Sequence, residues 1–226
     1  AYEQAGCTIS EDLSSCDILM GVKEIPISLL LQNKTYLFFS HVIKRQPYNR
    51  KLMQALLRKK IRMIDYELIT FDNGKRAVAF GHYAGVVGAH NGLLAYGQRS
   101  KAYQLKPAHA FRDYAEMRAS YTGLTLPPMK VVVTGTGRVG AGAVEMLSVA
   151  GLRKVRPEEF LQETFSEAVY CELRSKDLYR HKDGRSWDGS HFHANPAEYE
   201  SIFAPYTQVA DLMINTIFLY PKTPVF

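Results

Sequence analysis

Lys23, His41, Asp65 and Glu67 each stand at the exit of a short β-prone run: residues 16–22, 34–39 and 61–65. In an open α/β sheet, ligands bind outside the carboxyl ends of the strands, so four titratable groups converge there on one sheet edge. An amine, an imidazole and carboxylates around one cleft tune each other's proton affinity towards neutrality, the condition for general acid–base chemistry. Each residue alone has a plainer reading: a surface lysine, a histidine under a loop, strand-end caps. Their joint placement is what favours chemistry.

A second constellation lies further on. Gly135-Thr136-Gly137-Arg138-Val139-Gly140 follows the run 129–134 without a break and opens into an apolar helical pattern with Ala143, Met146 and Leu147. A buried strand, a tight glycine turn and a helix starting at the turn leave backbone N–H groups free where a pyrophosphate can sit. Three glycines alone are weak support, since they also serve ordinary turns; the strand in front and the helix behind make the case for a dinucleotide. The acid expected ~20 residues beyond, for the ribose hydroxyls, falls nearest Glu158, with Arg156 beside it as an acceptor of a 2′-phosphate. NAD is therefore expected, with NADP as the alternative. His181, His191 and His193 lie in a polar stretch with neither a cysteine nor an evident carboxylate cage nearby, and no metal site is expected there.

The elements that would position these groups follow from periodicity. Residues 16–22 read as a buried strand and 34–39 as a second. Pro47 opens a helix with Leu52, Leu56 and Leu57 at helical spacing, and 61–65 follows as a strand; strand–helix–strand implies a parallel sheet. Asp72-Asn73-Gly74 marks a hairpin between 67–71 and 76–80. Residues 82–99 form a helix with Gly85, Gly88, Ala89 and Gly92 on one face, expected to admit a backbone or a ligand closely. A further helix is expected over 108–121. Beyond the glycine turn, 153–156 reads as the second strand of the nucleotide domain, 168–173 as another, 181–194 as a polar loop, 195–196 as a helix start and 211–219 as a late strand. The fold expected is α/β: two Rossmann-like domains with parallel sheets facing a cleft. The substrate domain takes residues 1–100 and the NAD-binding domain 101–226, and both read as incomplete.

Composition narrows the classes. Net charge is +6 with the basic residues dispersed, apart from Lys44-Arg45 and Arg58-Lys59-Lys60. The second cluster ends a predicted helix, where cations suit the dipole, so a solvated face explains it better than nucleic acid. No apolar run approaches the ~18–20 residues of a membrane span, and residues 1–6 carry no signal-peptide pattern. Cys7, Cys16 and Cys171 are odd in number and lack a C-x-x-C, so reduced thiols in a cytoplasmic protein are expected. Nothing fixes an oligomeric state, and a homo-oligomer is left open.

Gly21-Val-Lys-Glu-Ile-Pro26, Phe39-Ser-His-Val-Ile-Lys44, Asp65-Tyr-Glu67, Phe80-Gly-His-Tyr-Ala-Gly and Val133-Thr-Gly-Thr-Gly-Arg-Val-Gly140 together resemble the lysine-forming saccharopine dehydrogenases and the lysine–oxoglutarate reductase part of the aminoadipic semialdehyde synthases. More distantly, the layout is similar to alanine dehydrogenase and the transhydrogenase dinucleotide subunit. The resemblance implies an oxidoreductase of lysine metabolism that interconverts saccharopine with lysine and 2-oxoglutarate. It makes Lys23 and His41 the acid–base pair, without settling which takes which proton. Lys44 and Arg76 match basic positions for substrate carboxylates, and Glu24 and Glu67 would modulate the pair. Gly135, Gly137, Arg138, Val139, Gly140 and Glu158 would hold NAD. Two alternatives stay open: an alanine dehydrogenase-type enzyme using ammonia, and a non-catalytic NAD-binding module. Family members are longer, so the chain reads as truncated at both ends.

Overall fold

The computed structural model describes residues 2–217 and 222–225. The chain forms two compact units, Ala1–Ala79 and Phe80–Phe226.

The first unit is built on β1 (Ile18–Met20), β2 (Thr35–Phe38), α1 (Arg50–Arg58) and β3 (Arg62–Asp65). All three strands are parallel, in the order β1-β2-β3. The crossover helix α1 buries Leu52, Ala55 and Leu56 against Leu30, Tyr36 and Phe38. Pro47 opens a short 3-10 turn, Pro47–Asn49, that leads into it. Parallel pairing sends every strand's carboxyl end to one edge of the sheet, and register sets the heights. Phe38 pairs with Asp65 and Met20 with Leu37, so residues 23, 41 and 65–67 emerge together. The first strand is shorter and less buried than expected. As the terminal strand of its sheet it leaves Ile18 and Met20 62% and 71% exposed. The hairpin at 72–74 is reduced to its turn plus one antiparallel bridge, Thr70 to Arg76. Residues Tyr66–Leu68 coil into a 3-10 turn instead of continuing a strand.

The second unit contains α2 (Gly81–Ser100), α3 (Tyr114–Ala119), β4 (Lys130–Thr134), α4 (Arg138–Val149), β5 (Arg153–Lys154), α5 (Pro157–Gln162), β6 (Val169–Leu173), α6 (Ser175–Leu178), β7 (Tyr179–His181), α7 (Gly189–Ala194), β8 (Tyr199–Ser201), α8 (Ala204–Val209) and β9 (Leu212–Asn215). Its main sheet is parallel, in the order β5-β6-β4-β9, and β7 pairs with β8 in a small antiparallel ribbon. Val131, Val132 and Val133 on β4 are fully buried because both faces are covered. Val131 and Val133 pack with Leu93, Met146 and Leu147; Val132 packs with Phe160, Phe192 and Phe203. A strand covered on both sides is an unbroken apolar run, which is how 129–134 reads. Each such valine contributes about 1.5–3 kcal/mol of burial.

Several expectations shift. The helix at 81–100 belongs to the second unit, not to a first domain ending at 100, because it docks on α4. The strand beside β4 is β6, whereas 153–156 supplies only the two-residue edge strand β5. The helix expected over 108–121 is a 3-10 turn, Ala108–Ala110, followed by α3. The supposed loop 181–194 carries strand and helix, and 196–198 is a single 3-10 turn. Of the late strand, 212–215 is present; positions 218 and 219 lie outside the described residues.

The glycines of α2 admit backbone. A Cβ on Gly85 would lie 1.9 Å from the Val139 carbonyl oxygen, and one on Gly142 of α4 would lie 1.9 Å from the carbonyl oxygen of His82. Two main chains are thus in reciprocal contact. Gly88 is exposed and meets nothing within 4 Å, so it is not part of that face. Gly85→Ala and Gly142→Ala should each destabilise by at least about 1–3 kcal/mol through overpacking. Gly88→Ala should stabilise by about 0.5–1 kcal/mol, since a glycine in a helix interior carries excess chain entropy. Urea unfolding midpoints of the three variants check both signs.

Candidate active site

The first unit holds a cleft of about 570 Å³ lined by Lys23, Glu24, Ile25, Pro26, Ile27, His41, Tyr48, Asn49 and Leu52. Lys23, Glu24 and His41 therefore share one cavity. Phe39, 7% exposed just past β2, lies against both Lys23 and His41. Lys23 Nζ lies 5.9 Å from its ring centroid, and the His41 ring stacks beside it at 6.3 Å.

His41 has φ +55°, in the left-handed region, which costs an L-residue about 1–2 kcal/mol. The neighbouring hydrogen bonds hold it there. Ser40 Oγ donates to Asp65 Oδ2, Val42 N–H donates to Ser40 Oγ at 3.2 Å, and Lys44 N–H donates to the His41 carbonyl at 3.0 Å. The other oxygen of Asp65 accepts the Glu67 amide at 2.8 Å. Asp65 thus ties the exits of β2 and β3 and aims both His41 and Glu67.

Glu67 is the buried hub, 6% exposed. Its Oε2 lies 3.3 Å from His41 Nδ1, and its Oε1 lies 3.3 Å from Lys44 Nζ and 3.0 Å from Arg76. Burial pushes this carboxyl up, but the hydrogen bonds from His41 and Lys44 and the charges of Lys44 and Arg76 outweigh it and hold the group below its ordinary 4.5. Lys44 Nζ also lies 3.1 Å from His41 Nδ1. With Nδ1 engaged, Nε2 is the ring nitrogen left to exchange a proton; Glu24 Oε1 is 3.9 Å from it, too far for a direct hydrogen bond. Lys44 and Arg76 remain about half exposed, so each can meet an incoming carboxylate while bound to Glu67. Asn49 is a member of this cleft that the sequence reading passed over. It is 4% exposed, and its Nδ2 finds no hydrogen-bond partner among the described residues. Its only sequence signal is a polar residue one position ahead of an apolar helix face.

In the second unit the three glycines have separate reasons. Gly135 has φ +96°, and a Cβ there would meet the Ile217 side chain at 2.4 Å. A Cβ on Gly140 would lie 2.2 Å from the Gly135 carbonyl oxygen, so α4 can only start against the turn without one. Gly137 has nothing within 4 Å, so the main chain there is open to an approaching group. It caps α4, and no side chain caps that helix end. Open main chain at an uncapped N-terminus, with Arg138 and Val139 in the first turn, fits a pyrophosphate. Glu158 sits in the first turn of α5, behind the edge strand, one strand removed from β4. The exit next to the glycine turn is that of β6, where Arg174 stands with its amide bound to Asp177 at 2.8 Å. Lys154, Arg156, Glu158, Glu172, Arg174 and Lys176 line a separate cleft of about 620 Å³ at these exits. Of the three histidines read as surface residues, His181 is 3% exposed and lies with His191 beside Glu198.

Residues 1–87 match the family described as alanine dehydrogenase/PNT, N-terminal domain. The alpha-aminoadipic semialdehyde synthase of Arabidopsis thaliana is 31% identical over 262 residues, covering 99% of this chain and 24% of that protein. The mitochondrial enzyme of that name from Rattus norvegicus is 34% identical over 250 residues, covering 99% and 27%. The saccharopine dehydrogenase [NAD(+), L-lysine-forming] of Candida glabrata is 30% identical over 184 residues, covering 72% and 47%. The chain is a homologue of the aminoadipic semialdehyde synthases and saccharopine dehydrogenases. It spans about a quarter of the length of the first and about half of the second.

Replacing Glu67 with Gln should lower stability at pH 7 by about 1–3 kcal/mol, since Lys44, Arg76 and the His41 ring lose their shared charged acceptor; half-exposed Lys44 and Arg76 keep the loss towards the lower figure. The Glu67 carboxyl is depressed in the folded state, so its contribution is complete above the ordinary carboxyl value and disappears as pH falls through the lowered one. Urea midpoints measured from neutral pH downwards should show wild type and Glu67→Gln converging on the acid side.

Proposed function

We propose that this chain forms the catalytic part of an oxidoreductase that interconverts saccharopine with lysine and 2-oxoglutarate using a nicotinamide dinucleotide, NAD first and NADP as the alternative. The observation that carries this reading is the shared cleft of Lys23 and His41 over Phe39, with Glu67 behind the imidazole. The similarity to enzymes bearing those names supports it.

The dinucleotide, when bound, supplies a hydride acceptor for the carbon beside saccharopine's secondary amine. The chain's own part is proton management. That amine must lose a proton as its carbon is oxidised to the imine; water must then add and the lysine amine be protonated as it leaves. Lys23 Nζ and His41 Nε2 are the two groups placed to exchange these protons, and their assignment to individual steps is coupled. Glu67 holds the His41 ring through Nδ1 and keeps Lys44 in place. Lys44 and Arg76 bind substrate carboxylates, which saccharopine carries in excess of lysine. Asn49 Nδ2, buried and unpartnered, offers the cleft one neutral donor. At the second site Gly135, Gly137 and Gly140 shape the main chain for the pyrophosphate, and the exit of β6 with Arg174 sets the preference at the ribose.

Purified protein incubated with lysine, 2-oxoglutarate and NADH or NADPH should consume the reduced cofactor. Lys23→Met and His41→Gln should each lower kcat by about 10²–10⁴ while leaving NADH affinity nearly unchanged, because proton transfer is worth that much in the transition state. Gly137→Leu should abolish NADH binding, read by nucleotide fluorescence. A requirement for ammonia in place of lysine would assign the alanine dehydrogenase-type reaction instead. Nucleotide binding without turnover between about pH 6 and 9 would leave only a binding module.

A further inference from the structure

Beyond β6 the second unit carries a lobe made of α6, β7, α7 and β8, joined by loops around the aromatic side chains of Tyr179, Trp187, Phe192 and Tyr199. Its elements are short, and among the described residues its strand pairing is the three-residue ribbon between β7 and β8. At one side of this aromatic cluster three ligand-type side chains from three elements converge. His181 ends β7, His191 lies on α7, and Glu198 closes the 3-10 turn Pro196–Glu198 just before β8. One donor atom from each lies within 4.8 Å of the others. His181 Nε2 is 3.3 Å and His191 Nε2 3.8 Å from Glu198 Oε2.

We propose that His181, His191 and Glu198 form a site for a zinc-class divalent ion that staples this lobe. Zinc bonds of ~2.0–2.2 Å to nitrogen and oxygen in a tetrahedron place donors about 3.4 Å apart. Both histidine nitrogens stand near that spacing from Glu198, and all three donors lie within 4.8 Å of one another, so closure needs side-chain adjustment of up to about 1.5 Å. The hydrogen bonds around the rings support the assignment. The Tyr199 hydroxyl donates to the Asp188 carbonyl at 3.3 Å, so at 3.2 Å from His191 Nδ1 it accepts that ring's proton. The lone pair of His191 is thereby on Nε2, the nitrogen nearest Glu198, and a second partner fixing the ring is characteristic of metal-bound histidine.

His181 requires one exchange. Its Nδ1 accepts the Asp183 amide at 3.1 Å, and coordination through Nε2 moves the ring proton to Nδ1. Asp183 Oδ2, 4.0 Å away, is the nearest carboxylate to that proton and must close by about 1 Å to accept it. Two imidazoles and one carboxylate suit zinc, cobalt or nickel, whereas calcium and magnesium prefer oxygen donors throughout. Glu198 and His191 are half and one-third exposed, so the fourth position faces solvent and takes a water. His193, the other half of the His-x-His pair, lies tilted against Phe192 and is not one of the converging donors.

The test is zinc titration of the chelator-stripped full chain by calorimetry, with cobalt absorption as a spectroscopic readout. The site predicts one zinc per chain, a rise in melting temperature that magnesium does not reproduce, and visible cobalt bands of four-coordinate intensity. His191→Ala and Glu198→Gln should each weaken zinc binding by about tenfold or more, while His193→Ala leaves it unchanged. Both substitutions are at partly exposed positions, and circular dichroism of the metal-free variants checks that they fold. Zinc binding weaker than about 0.1 mM, or binding that survives both substitutions, overturns the site. Should the variants fail to fold, the wild-type cobalt spectrum decides: four-coordinate bands support the site and their absence overturns it.

Discussion

The Asp65 carboxylate is the constraint on which the first unit's chemistry depends. One oxygen receives the Ser40 hydroxyl and the other the Glu67 amide, so a single side chain joins the ends of two adjacent strands. Without that clasp, His41 would have little reason to keep a left-handed backbone, and Glu67 would not be delivered to the imidazole. The carboxylate itself needs no contact with substrate. It converts the parallel register of β2 and β3, which is set by main-chain hydrogen bonds, into the orientation of two side chains. A positively charged periphery, Lys44 and Arg76, is then gathered around the single buried acid and left half open to solvent.

The second unit solves a different problem with almost no side chains. Its nucleotide turn is shaped by what is missing: one glycine for the left-handed turn, one for open access, one for helix approach. The proposed catalytic groups and the proposed cofactor cradle are thus specified by opposite means, dense polar contacts in one unit and bare main chain in the other. This explains why substitutions in the two places should separate turnover from nucleotide affinity.

Much of this was legible in the residues. The βαβ unit over 34–65 was readable because its helix shows a clean apolar stripe and its strands end in polar residues. The glycine turn was readable because a fully buried strand precedes it. What escaped the sequence depends on tertiary partners. Residues 81–100 were placed with the first half because periodicity cannot say that Gly85 docks on Val139. Residues 153–156 read as the second strand of the nucleotide domain from chain order alone; β6, with Val169 and Cys171 fully buried, takes the place beside β4 and leaves β5 the exposed edge. His181 looked like a loop residue because its neighbours are charged. Its ring packs against His191 and Tyr199, which reach it from later elements. Asn49 gave only the signal of a polar residue ahead of a helix, and an asparagine there is ordinarily a cap.

The contact between α2 and α4 has an implication for how this sequence can vary. Where two helices meet through side chains, a gain in volume on one can be offset by a loss on the other, and the pair can drift. At Gly85 and Gly142 the facing atoms are carbonyl oxygens, which every amino acid carries. No replacement on the opposite helix makes room, so neither position has a compensating partner. The nucleotide helix is therefore held at a distance that selection can abandon only by rebuilding both elements together.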